Sequence, residues 1–189
     1  WRLSDGTPVL VPEGFNTAPE PNGDLLMYPE GDKSAPPSGR MPRGGYYFDA
    51  IVRQDPVDDA TLNVEDNLQE FGPVSDADLA WFKAEAERAA ASGRAVLASF
   101  GGAAFGDIAL VPATFLKRPR GIRDLSDWYM STLMRSDYIK AVFERQSEIA
   151  SENLRRLYAA VGDRISVIAT NGTDFGTQNG PFCSPDQYR

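Results

Sequence analysis

The chain has 189 residues, of which 42% are apolar and 24% charged, with a formal net charge of −8, one cysteine and no histidine. That balance is ordinary for a globular protein, supplies no apolar run long enough for a bilayer, and argues against a nucleic-acid surface. A single cysteine rules out an internal disulfide framework and fits a reducing cytoplasm. The lack of histidine excludes a Ser-His-Asp triad, a Cys-His pair or a self-contained N/S metal site within these residues.

The first third carries few helix signals. Asp5-Gly6 precedes Val9-Leu10-Val11, and Asn22-Gly23-Asp24 precedes Leu25-Leu26-Met27-Tyr28. Turn dipeptides followed by strand-like runs predict a small antiparallel excursion. Residues 32–45, rich in Pro, Gly and Ser, read as a loop. Residues 1–45 thus form a hairpin and loop excursion ahead of one main domain at 46–189. Tyr46-Tyr47-Phe48 resumes order as an aromatic strand or edge, whose simplest role is packing.

From Ser75 the pattern is helical: Ser75 caps, Asp78 stands at the third position, and Leu79, Phe82, Ala86 and Ala89 share a face until Gly93 stops the helix. Residues 95–100 then predict a short buried strand, and Gly101 to Asp107 a small-residue loop where backbone can approach a ligand. That loop lacks the Lys and Ser/Thr of a phosphate loop. Lys117-Arg118-Pro119-Arg120, with Arg123, reads as solvated basic surface.

Two further helices follow. One runs from about Asp124 to Met134 on Leu125, Trp128 and Leu133. The other runs from about Asp137 to Val161 on Val142, Ile149, Ala150, Leu154, Leu157 and Val161, with Gly162 as its stop. Ile165, Val167 and Ile168 then predict a second buried strand, followed by a Gly/Asn/Thr/Asp loop. The last helix is announced by Ser184 as N-cap, Pro185 at the first position and Gln187 completing a capping box. Only one turn follows, too little to bury an apolar stripe, and the chain opens at Trp1 with no initiator Met. Both ends read as those of a piece of a longer protein. Helix, strand and loop recur at 75–107 and 137–180, which implies right-handed crossovers and a parallel sheet, either an open sheet or a barrel.

The runs GTDFGTQNGPFCSPDQYR, GYYFDAIV, EDNLQEFG, SFGGAAFGDIALVPATFL and NLRRLYAAVGD, in this order and spacing, resemble the uroporphyrinogen decarboxylase superfamily. The likeness covers most of the chain from about Gly44 and is greatest to the branch of corrinoid-linked methyltransferases. It implies an α/β fold, a (β/α)8 TIM barrel of which this chain is an incomplete central portion with an N-terminal hairpin excursion. The loop after the fifth strand would supply Asp174 as the catalytic acid, with Thr173 and Gln178 binding substrate in the same loop. The loop after the earlier strand would bring Phe105 and Asp107, where decarboxylases carry a tyrosine that is missing here. The family's zinc ligands, a His-x-Cys and a later Cys, have no counterpart in this segment, and Cys183 aligns with none of them. Zinc and a corrinoid partner are therefore implied for the whole protein and no cofactor for this segment. The resemblance further implies a cytoplasmic enzyme with a small-molecule substrate and a possible homo-oligomer. Methyl transfer is the leading expectation, tetrapyrrole decarboxylation the alternative, and a non-catalytic binding subunit the third.

Overall fold

The computed structural model describes residues 1–100, 105, 111–173 and 176–188. In chain order its strands and α-helices are β1 (Thr17–Pro19), β2 (Leu25–Met27), β3 (Gly39–Met41), β4 (Asp49–Ala50), α1 (Asp76–Ala90), β5 (Leu97–Ser99), α2 (Leu125–Met134), α3 (Ser136–Val161), β6 (Val167–Ala169), β7 (Gly176–Thr177), β8 (Gly180–Pro181) and α4 (Pro185–Tyr188). The chain divides into two compact units, Trp1–Asp66 with Leu110–Trp128, and Asn67–Ala109 with Tyr129–Arg189. Helices and strands are mixed, and the sheets are small: one of four strands and two of two strands among the described residues.

The first unit is built on an antiparallel meander in the order β1-β2-β3-β4. The Asn22-Gly23 signal makes the β1–β2 turn: Asn22 Oδ1 accepts from Asp24 N at 3.0 Å, and Gly23 N donates to Glu20 O at 2.9 Å. Asp5-Gly6 likewise forms a turn, closed by the isolated bridge between Arg2 and Pro8. The loop expected at 32–45 is corrected by β3, which lies inside it and pairs Leu25 with Met41 and Met27 with Gly39. Pro, Gly and Ser hid a strand that its neighbours impose. Ser38 is fully buried and Met41 only 3% exposed, so the segment is internal to the sheet. Trp1, Phe15 and Phe48 pack edge to face, with Trp1 to Phe15 at 5.2 Å and Phe15 to Phe48 at 6.0 Å.

The basic cluster departs from expectation at Arg123. Lys117 bridges Glu30 at 3.3 Å and Asp32 at 3.1 Å, Arg120 pairs with Asp66 at 3.1 Å, and Arg123 is buried. Lys117, Arg118 and Arg120 stay exposed, as a solvated surface requires, while Arg123 leaves it; the acids that Lys117 and Arg120 meet are distant in sequence. Asp32 accepts from the Ser34 hydroxyl and backbone N–H and then from Lys117, which together hold its carboxyl at about 2, below the usual 3.8. A depressed carboxylate contributes stability above its unfolded pKa and loses it as pH falls through the folded one. Acidification from about pH 4 to about pH 2 should therefore lower the urea midpoint less in Asp32→Asn than in the parent chain. Equal acid sensitivity of the two chains would show that Asp32 is not a contributor.

The start of α2 is held by Gln54. Its Oε1 accepts from the backbone N–H of Arg123 and from that of Asp124 at 2.7 Å, and its Nε2 donates to Asp127 at 2.6 Å. Asp124 Oδ1 accepts from Asp127 N at 2.9 Å, so side chains satisfy N–H groups that a helix start leaves open. Of the apolar positions expected to seat α2, Trp128 is buried, but Leu125 and Leu133 are exposed.

In the second unit α1 begins as the sequence dictates: Ser75 Oγ accepts from Asp78 N at 3.0 Å and donates to the Asp78 carboxylate at 2.7 Å. α3 ends at Gly162, whose φ of 59° closes the helix in a conformation that other residues resist. Val74, Ala86, Phe100, Leu157 and Val161 form the core, with Leu79, Phe82, Ala98, Leu154 and Ile165 packed against it. Phe82 meets Phe100 edge to face at 4.8 Å. One further stripe on α3 is polar. Asn153 accepts from Val74 N and donates to Gly72 O, both at 2.8 Å, while Arg156 donates to Val74 O and pairs with Asp76 at 2.7 Å. Residues 72–76 are thereby clamped along the helix that the core already holds.

Candidate active site

β5 and β6 pair in parallel, Leu97 opposite Val167, Ala98 opposite Ile168 and Ser99 opposite Ala169. Parallel pairing requires a crossover, here supplied by the stretch that contains α2 and α3. It also turns the carboxyl ends of both strands the same way, so the loops that leave them emerge on one side of the pair. Both strands were expected to be buried. Instead Leu97 is 70%, Val167 54% and Ile168 37% exposed, because a two-stranded ribbon packs only its helix-facing residues, among them Ala98, into the core.

The two exit loops meet. Asn171 Nδ2, two residues past β6, donates to the carbonyl of Phe105 in the loop past β5 at 2.6 Å. The Asn171 carboxamide also accepts from Thr173 N, an Asx turn that folds the loop back on itself. One side chain therefore ties the loop that carries Phe105 to the loop that carries Thr173. Both of those residues are half-buried. Asn171 was not singled out from sequence; an Asn-Gly pair straight after a strand is its local signal.

Residues 176–181 are more ordered than a Gly/Asn/Thr run suggests. β7 and β8 pair as a hairpin, Gly176 opposite Pro181 and Thr177 opposite Gly180. Thr177 Oγ1 accepts from Asn179 N at 3.1 Å inside the turn. The strands approach so closely that a Cβ on Gly176 would fall 2.7 Å from Gly180 O, a position open only to glycine. Gln178, the second substrate-binding candidate here, is exposed at the tip of this turn. Asp174 and Asp107 lie outside the described residues.

Beyond the hairpin Phe182 stacks on Tyr129, ring centroids 4.5 Å apart, and Cys183 is half-buried. The capping box forms as the sequence spells it, with Ser184 Oγ accepting from Gln187 N at 3.3 Å and Gln187 Oε1 accepting from Ser184 N at 3.0 Å. Among the described residues no group of three or more His, Cys, Asp or Glu side chains converges as metal ligands would. No helix among the described residues is long and apolar enough to cross a membrane.

The chain matches no family model, no curated protein and no solved structure.

Proposed function

We propose that this chain is a central portion of a uroporphyrinogen-decarboxylase-like (β/α)8 barrel, and that the whole protein is a cytoplasmic enzyme transferring a methyl group between a corrinoid carrier and a small thiol. The observation that supports this reading is the Asn171 to Phe105 hydrogen bond at 2.6 Å across the carboxyl ends of a parallel strand pair. Barrel and doubly wound enzymes place their chemistry where such loops converge. In this reading Asp174, flanked by Thr173 in the tied loop, orients a polar group of the substrate, and Phe105, Asp107 and Gln178 bound the pocket. Zinc, held by residues outside this chain, would supply a thiolate nucleophile when bound.

The test is made on the whole protein, with methylcobalamin as methyl source and a small thiol as acceptor. Asp174→Asn should lower kcat/KM at least about tenfold, the loss of one transition-state contact. Asn171→Ala, which frees the two loops from each other, should raise KM more than it lowers kcat. Release of carbon dioxide from a tetrapyrrole carboxylate with no methyl transfer would replace this reaction by decarboxylation. Neither activity would leave a binding subunit.

A further inference from the structure

The sequence holds three Asn-Gly pairs, at 22–23, 171–172 and 179–180, and all are exposed. A glycine has no Cβ to shield its amide nitrogen, and its backbone can turn until that nitrogen faces Cγ of the asparagine before it. Attack at Cγ asks two things of the fold: an amide that is not committed to an acceptor, and room for the backbone to turn. The three pairs differ in both.

Gly23 N donates to Glu20 O at 2.9 Å, inside a turn that holds Gly23 at a φ of 89°, and both polar atoms of the Asn22 carboxamide are bound to Asp24. Gly180 stands in β8 opposite Thr177 with a φ of 151°, so the hairpin fixes its backbone. Gly172 belongs to no helix or strand, its amide donates to no acceptor among the described residues, and a Cβ built on it would meet nothing within 4 Å. Thr173 N also donates to Asn171 Oδ1 at 2.5 Å. That donor is aimed at the oxygen on which negative charge grows when Cγ is attacked. The bond from Asn171 Nδ2 to Phe105 O restrains the carboxamide, but it is exposed and water competes for it.

We propose that Asn171 is a site of self-modification, converting through a cyclic imide to aspartate and isoaspartate ahead of the other two pairs, and that this conversion unties the loops past β5 and β6. Gly172 N gives its proton to hydroxide and attacks Asn171 Cγ. A C–N bond forms, the Cγ–Nδ2 bond breaks, and Nδ2 leaves as ammonia with a proton from water. A second water opens the imide at either carbonyl. Opening at Cγ leaves aspartate, and opening at the main-chain carbonyl leaves isoaspartate, in which the backbone runs through the former side-chain carbon. The sum consumes one asparagine and one water and yields one carboxylate and one ammonium ion, with nothing oxidised or reduced. A carboxylate has no N–H to donate, so an acceptor then faces the Phe105 carbonyl where Nδ2 stood. None of this rests on the barrel reading, because the change is read at Asn171 whatever reaction the whole protein catalyses.

The test is to age the unmodified chain in mildly alkaline buffer and follow each pair by peptide mass spectrometry, with fragment ions placing the gain in mass. Asn171 should convert at least about tenfold faster than Asn22 and Asn179. In urea the three rates should converge, since the difference belongs to the fold. Gly172→Ala, for which there is room, should slow conversion at Asn171 about tenfold, because the added methyl shields the nitrogen. Equal or faster conversion at Asn22 or Asn179 in the folded chain overturns the proposal, as does a ranking that survives in urea or a Gly172→Ala chain that converts like its parent. With phenylalanine labelled at its carbonyl carbon, the Phe105 NMR signal should move as Asn171 converts. A signal that stays in place overturns the untying of the loops.

Discussion

Leu157→Ala is expected to destabilise the second unit by about 2–5 kcal/mol, the range for removing a fully buried leucine where the cavity only partly collapses. Leu157 is 0% exposed and joins Val74, Ala86, Phe100 and Val161 in the cluster that holds α3 against α1 and β5. Its neighbours are poorly placed to fill the gap. Ala86 is small, and Phe100 is fixed edge to face on Phe82. Against the total stability of about 5–15 kcal/mol typical of a domain, the loss is a large fraction. Amide hydrogen exchange along α3 reads it directly, because it reports the opening free energy of that helix separately from the first unit. Protection unchanged to within about 1 kcal/mol would mean that the cluster is not what holds α3 in place.

Asn153→Leu is expected to cost about 2–4 kcal/mol even though it adds an apolar side chain of similar size to a buried site. Asn153 is 1% exposed, and its carboxamide serves Val74 N and Gly72 O together. Replacement strands a backbone donor and a backbone acceptor, each costing about 1–3 kcal/mol when left dry, offset in part by apolar transfer. Asn153→Asp separates the two contributions, since it keeps an acceptor for Val74 N while losing the donor to Gly72 O. Denaturant midpoints at constant m-value should rank parent above Asp and Leu variants. A Leu variant as stable as the parent would show that solvent reaches Val74 N and Gly72 O once the carboxamide is gone.

Where the chain's local grammar acts over three or four residues, the sequence was legible. Ser75 with Asp78, Ser184 with Gln187, and Gly162 at the end of α3 all form the caps that their spacing announces. Legibility failed where a neighbour decides. Residues 39–41 look like loop, yet become β3 because β2 and β4 lie on either side to pair with them. An apolar stripe on α3 could be counted, but Gln146 and Asn153, buried on the same helix, are invisible to a hydrophobic count. Arg123 reads as solvated because a carbonyl that holds it in the interior, that of Asp66, is 57 residues away in sequence. In the candidate site the loops were foreseeable from their glycines and position after strands. The bond from Asn171 to Phe105 spans 66 residues, a separation that no local pattern encodes.

The same long separation bears on how freely the chain can be lengthened. Val96 and Ser166, which hydrogen-bond at the edge of the parallel pair, are 70 residues apart. The entropy of closing a flexible loop grows only logarithmically, so each doubling of its length adds about 0.6 kcal/mol. The steep part of that cost is already behind this pair. Segments inserted into the exposed turn at Phe115 and Lys117 would add length to the crossover while leaving the register of Leu97 on Val167 intact. The strand pair is thus a fixed frame around which the intervening chain is open to elaboration.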